Sequence, residues 1–207
     1  NVSVQEIKNS GNVSFRRIYQ EKYHVDKNCF YALRNSKGQF EIAWGAHAED
    51  TTRTYQIRYT IVDAVKNYVD CSEFYWQFIS TESEIPVNIV TGTITLPYAV
   101  SNKDDLKVWA HGPLNGNIII VSNDTVKFEV EDVRRNTMLE ARVVTPTNVF
   151  VNNQKRSSGE KLQSILQQEQ EWADEANRIR EKRIRDRENL IKILIIGAII
   201  FNTIGLV

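Results

Sequence analysis

The stretch Arg53-Thr-Tyr-Gln-Ile-Arg-Tyr-Thr-Ile61, followed by Phe74-Tyr-Trp-Gln-Phe-Ile79, decides how this chain is read. Tyr55, Ile57, Tyr59 and Ile61 fall on one side of an extended backbone, and Thr54, Gln56, Arg58 and Thr60 on the other. A period of two over nine residues is that of a strand with one buried and one wet face. Phe74, Trp76 and Phe78 alternate with Tyr75 and Gln77 in the same way. Each such ring removes roughly 150–250 Å² from water, so these three are the expected heart of a β core.

The same pattern extends outward over residues 1–152. Strands are expected at 2–8, 12–18, 28–34, 39–44, 53–61, 74–79, 86–96, 106–110, 117–121, 125–130 and 138–145. Turn signals such as Ser36-Lys-Gly38 and Asn115-Gly116 lie between them, where Gly and Asn tolerate positive φ. Within 86–96 the apolar phase slips between Val87/Ile89 and Val90/Ile94/Leu96, which predicts a bulge near Gly92 or a strand that changes sheets. Short strands at this spacing point to an all-β, immunoglobulin-like sandwich as one domain over 1–152.

A polar linker follows at 152–159, and then the period becomes helical. Leu162, Ile165, Leu166, Trp172, Ala173, Ala176 and Ile179 share a face. Residues 153–189 therefore read as a linker and a charged helical stalk, with Ser158 and Lys161 a poor capping box and Asp174–Arg178 and Glu181–Arg185 expected as i,i+4 pairs. Residues 190–207 hold one charge, Lys192, and are otherwise apolar apart from Asn202 and Thr203. They read as a truncated transmembrane segment, so the lipid bilayer is the first expected partner.

Composition narrows the function classes. The 207 residues carry 26 basic and 26 acidic side chains, a formal charge of zero that argues against a nucleic-acid partner. Cys29 and Cys71 fit either a disulfide or two buried thiols. The first residue, Asn1, reads as an end trimmed after signal-peptide removal. His24, His47 and His111 stand in no metal-ligand spacing, Glu73, Glu82 and Glu84 form no convincing catalytic pair, and no phosphate loop or nucleophile elbow is present. No cofactor and no catalytic residue is expected. Trp44, His47, Glu73, Trp109 and His111 are the candidate surface or loop residues, to be decided by which of them meet in space. Arg178, Arg180, Lys182, Arg183, Arg185 and Arg187 form a basic run beside the apolar segment, either a lipid-facing patch or a solvated face balanced by Asp174, Glu181, Asp186 and Glu188.

Several motifs occur in a recognisable order: Ala43-Trp-Gly45, Thr52 to Ile61, Glu73-Phe-Tyr-Trp76, Ile85-Pro86, Thr95-Leu-Pro97, His111-Gly-Pro-Leu-Asn-Gly116 and Thr145-Pro146. As a set, over about residues 13–180, they resemble the extracytoplasmic domain of the DUF2207 family of predicted bacterial membrane proteins. Ser80 and Ser83 stand where many members have a Gly and a Trp. The resemblance implies a signal peptide, an outside β domain and a membrane span, and brings no known activity. Positive charge beside a span normally marks the cytoplasmic side, so the basic run opposes this orientation, yet a domain led by a signal peptide crosses largely regardless of charge. The expectation is a membrane-anchored extracytoplasmic module at the cell surface that binds a protein or cell-envelope partner. The alternative is a cell-envelope hydrolase with a site built on loops.

Overall fold

The computed structural model describes all residues except 23, 35–37, 39, 48 and 205–207, and the backbone alone for 197–204. The chain is mostly β with one C-terminal helix, and it divides into two compact units, Asn1–Val62 and Asp63–Val207. The two strands that govern the sequence reading end up in different units.

The first unit holds β1 (Val2–Ile7), β2 (Val13–Ser14), β3 (Arg16–Arg17), β4 (Cys29–Arg34), β5 (Phe40–Trp44) and β6 (Thr54–Tyr59). They form two three-stranded sheets, ordered β2-β1-β6 and β3-β4-β5. Val4 and Phe15 meet Phe30 and Ala32 in one buried cluster, closed by Ile42, Trp44, Tyr55 and Ile57. The alternation in β6 thus works as expected for Tyr55 and Ile57, whereas Tyr59 is half exposed at the strand end. Gly45, in the Ala-Trp-Gly motif, lies so close to the Asp26 and Val25 carbonyls that a Cβ would sit 2.2 Å from the first. Only glycine lets the backbones approach there. The Ser36-Lys-Gly38 turn falls mostly outside the described residues.

The second unit holds β7 (Val65–Asn67), β8 (Ser72–Ile79), β9 (Val87–Thr95), β10 (Lys107–His111), β11 (Asn117–Ser122), β12 (Thr125–Val133), β13 (Leu139–Thr145) and α1 (Leu162–Ile204). One sheet runs β10-β13-β8-β7 and the other β11-β12-β9. Their inner faces meet: Phe74, Val108 and Val143 from the first pack with Ile94, Ile118, Ile120 and Val126 from the second. This is a two-sheet sandwich, but its strand order is not the immunoglobulin one. There the first, second, fifth and fourth strands form one sheet. Here the seventh strand of the unit, β13, lies between the second and the fourth, and the steps β8–β9, β10–β11 and β12–β13 each cross between sheets.

Two local expectations change. No register shift interrupts β9, whose residues pair with β12 in one continuous register. Gly92 instead lies against the Phe128 ring, where a Cβ would come within 2.1 Å. The bulge is in β8, where Ile79 pairs with Leu139 and Gln77 with Glu140, leaving Phe78 extra. That slip sends Phe78 partly into solvent, 5.0 Å from the Phe128 ring, and brings Ile79 into the core. Trp76 is half-buried and stands outside the four buried clusters.

Cys29 and Cys71 are both buried and free. Residues 190–204 continue α1 as helix, and among the described residues no helix is long and apolar enough to cross a membrane. The rest of the expected span, with all side chains from 197 onward, lies outside the described residues.

Replacing Gly92 should report the close approach. Gly92→Ala is expected to lower unfolding free energy by about 1–3 kcal/mol, as overpacking does. Phe128→Leu in the same chain should recover part of that loss in denaturant melts. An Ala variant as stable as the parent would show that the ring has room to move.

Candidate functional site

Three of the five candidate residues meet on the outer face of the β10-β13-β8 sheet. In β8, Glu73 and Tyr75 point away from the inner core that takes Phe74. Glu140 and Arg142 do the same in β13, as do Trp109 and His111 in β10. The register places them side by side: Tyr75 opposite Arg142, Arg142 opposite Trp109, and Glu140 opposite His111.

The first turns of α1 cover this face. Ile165, 1% exposed, packs with Cys71 and Val144, flanked by Leu162, Tyr68 and Trp109. Glu169 follows one turn later and is 3% exposed. A buried carboxylate needs a charged partner and filled hydrogen-bond positions. Glu169 has both: Arg142 Nη1 donates to its Oε1, and His111 Nε2 lies 2.8 Å from its Oε2.

Arg142 is the centre of the arrangement. Its Nη1 also donates to Gln168 Oε1 at 2.9 Å. Its Nε is 3.0 Å from Glu73 Oε1, an ion-pair contact without hydrogen-bond alignment. The guanidinium carbon lies 4.2 Å from the Tyr75 ring centroid and 5.5 Å from that of Trp172. Planar, weakly hydrated and unable to lose its proton, arginine suits such a stacked and buried position. Around it, Tyr75 donates to Glu140, Tyr68 donates to Glu73 at 3.0 Å, and the His111 ring meets Trp172 edge-on at 4.8 Å. Burial and the bond to Glu140 raise the Tyr75 hydroxyl pKa. Burial and Glu73 push that of Tyr68 up to about 12. Both phenols therefore stay protonated and act as donors.

The helix is also capped from the sheet. Asp70 accepts from the Lys161 and Leu162 backbone N–H groups at 2.8 and 2.9 Å, so the start sought at Ser158 is supplied from 91 residues earlier in the chain. Burial raises the Asp70 pKa, but these two bonds outweigh it and hold the carboxyl below its usual range. Burial and the neighbouring Asp70 push the Cys71 thiol up to about 12, so it is a poor nucleophile.

The other candidates lie apart. Trp44 belongs to the first unit's core, 5.7 Å from the Tyr55 ring. His47 sits in a loop there, with positive φ and its Nε2 3.0 Å from the Val25 carbonyl. The basic run is solvent-exposed along α1. Arg178 pairs with Glu175 rather than Asp174, which is taken by Gln170. Glu181 and Arg185 are 3.7 Å apart, as their spacing predicts, and Arg180 reaches back to the Leu114 carbonyl at 3.1 Å. Among the described residues no group of three or more His, Cys, Asp or Glu is placed to hold a metal ion.

Sequence reasoning passed over Arg142, Glu140, Glu169 and Asp70. Two signals were available. Arg142 is a charge within the strand Leu-Glu-Ala-Arg-Val-Val-Thr, and Glu169 falls on the apolar stripe of the helix, four residues after Ile165 and three before Trp172.

The family model for the N-terminal domain of DUF2207 predicted membrane proteins matches residues 3–145. No curated protein and no solved structure matches the chain.

Two outcomes follow from this geometry. Arg142→Ala leaves Glu73 and Glu169 buried without their cation, so the cost should be about 3–5 kcal/mol. Hydrogen exchange should accelerate in 162–176 more than in β8 and β12; uniform acceleration would place Arg142 in the core rather than in the clasp. Asp70→Ala should cost about 0.5–2 kcal/mol at pH 7. Because the folded pKa is depressed, this difference is present above the unfolded carboxyl value of about 3.9. It should shrink as pH falls through the lower folded value, and a pH-independent difference would contradict the charged cap.

Proposed function

The chain belongs to the DUF2207 family of predicted membrane proteins, and we propose that it is the extracytoplasmic, non-enzymatic portion of a bacterial cell-surface protein, anchored through 190–207. In this reading its β units bind a protein or a cell-envelope polymer, and α1 carries them on a stalk. The observation that supports it is the set of paired side chains under α1. Of the residue types from which a hydrolase site would be drawn, Glu73 is engaged by Arg142, His111 by Glu169, and Trp109 packs against the Cys71, Val144 and Ile165 cluster. They fasten a helix to a sheet. A loop-built hydrolase, the alternative, needs carboxylates open to solvent with a nucleophile or water between them.

The stalk follows from continuity. α1 runs unbroken for 43 residues, about 65 Å at the rise of an α-helix, from the clasp at Ile165 to the apolar 190–204. A helix fixed at its base transmits the position of one end to the other. The module and its anchor then move together rather than on a flexible tether.

Labelling tests the side and the anchor. Lys103 is exposed, whereas Cys29 and Cys71 are buried, so Lys103→Cys introduces a single accessible thiol. On intact cells stripped of their wall, a membrane-impermeant maleimide should label it before lysis. Labelling only after lysis would place the β units in the cytoplasm. Ending the chain before residue 190 should release it from the membrane fraction, and retention there would overturn the anchor.

A further inference from the structure

Sheet edges are sites of unwanted pairing, and native proteins protect them with charge, proline, bulges, short strands or a covering segment. Most edges of the second unit follow this rule. β7 is three residues long, and the 155–157 segment bonds to Asn67, with Asn67 N–H donating to Lys155 and Ser157 N–H donating to Asn67. β10 is five residues long and starts with Lys107. β11 is interrupted by a register shift between Ile120 and Ser122.

β9 has none of these devices. Its nine residues, Val-Asn-Ile-Val-Thr-Gly-Thr-Ile-Thr, contain no charge and no proline, and they keep a single register with β12 in which only the Asn88–Asp132 pair is missing. The opposite edge of β9 carries no strand of this sheet. Among the described residues, residues 87–95 make no hydrogen bonds except those of the β12 ladder. The strand is rich in β-branched residues, the composition that pairs most readily.

We infer that the free edge of β9 pairs antiparallel with β9 of a second copy of this chain, joining two three-stranded sheets into one of six. The strand is self-complementary about Gly92. A two-fold axis there sets Val90 against Ile94, Thr91 against Thr93 and Ile89 against Thr95. Val90 and Ile94 meet on the inner face, Thr91 and Thr93 on the outer with the exposed Ile89 against Thr95 beyond them, and no like charges face each other across the axis. The same axis brings Ile85, 74% exposed before the strand, toward Tyr98 of the other copy, which is 54% exposed after it. A partner of different sequence would gain the backbone ladder alone; a second copy gains these side-chain pairs as well. A two-fold contact of this kind closes on itself and forms a dimer rather than a fibre.

The test uses the 207-residue chain. Sedimentation across a micromolar concentration series should show a monomer–dimer equilibrium. Thr91 and Thr93 are exposed on the outer face, so Thr91→Lys with Thr93→Lys adds repulsion at the axis without entering the core. This variant should keep the parent circular dichroism spectrum and be monomeric at concentrations where the parent dimerises, a shift of at least tenfold. Thr91→Cys with Thr93→Cys should form a disulfide-linked dimer on mild oxidation, since each new thiol faces the other position across the axis. A parent chain that is monomeric throughout overturns the inference. So does a dimer that the lysine pair leaves intact, because its interface then lies elsewhere.

Discussion

One buried cation organises the second unit. Arg142 stands in the last strand of the sandwich, with its side chain 6% exposed, between Glu73 of the same sheet and Glu169 of the helix. Withdrawing three charges from water is costly, and their mutual attraction offsets that only when each is well placed. Stacking on Tyr75 and Trp172, with His111 and Gln168 filling the remaining positions, supplies the placement. The cost itself confers specificity: a helix displaced by one turn would leave Glu169 buried without a partner. An apolar contact alone, such as Ile165 against Cys71 and Val144, tolerates sliding more readily.

The clasp also supplies partners to the residues in it. An isolated list of Glu73, Tyr75, Trp109, Glu140 and His111 reads like the lining of a catalytic cleft. Under the helix the carboxylates are taken up by Arg142, His111 and the two phenols, and the phenols are held protonated by carboxylates and burial. The resulting surface is a joint between sheet and helix. Its counterpart at the helix start is Asp70, which neutralises the exposed N–H groups of the first turn with a carboxylate delivered by the sheet.

Much of this was legible in the chain, and the failures have physical causes. The inward residues of β6 and β9 were marked by period: Tyr55 and Ile57 in one, Val90, Ile94 and Leu96 in the other. Pattern says which face is buried, but not against what, so the division between Val62 and Asp63 left no trace in it. The β8 bulge defeated the alternation at Phe78, because an extra residue reverses every face beyond it. Gly92 looked like a bulge and is a close approach, two uses of glycine that share one sequence signature. Asp70 could not be found as a cap, since capping rules search the residues next to a helix and this carboxylate comes from another element. Glu73 and His111 were singled out, but the cation that unites them was not.

The claim on which the account turns is that Arg142 and Glu169 act as a pair across the sheet–helix joint. A double-mutant cycle of unfolding free energies, using Arg142→Met, Glu169→Leu and the combination, measures this directly. If the pair acts as a unit, the two single costs should sum to about 2–3 kcal/mol more than the double, because the combined variant removes both charges, keeps the bulk and leaves only Glu73 without its cation. Single changes that add to within about 0.5 kcal/mol would contradict it. The helix would then be held on the sheet by apolar packing alone.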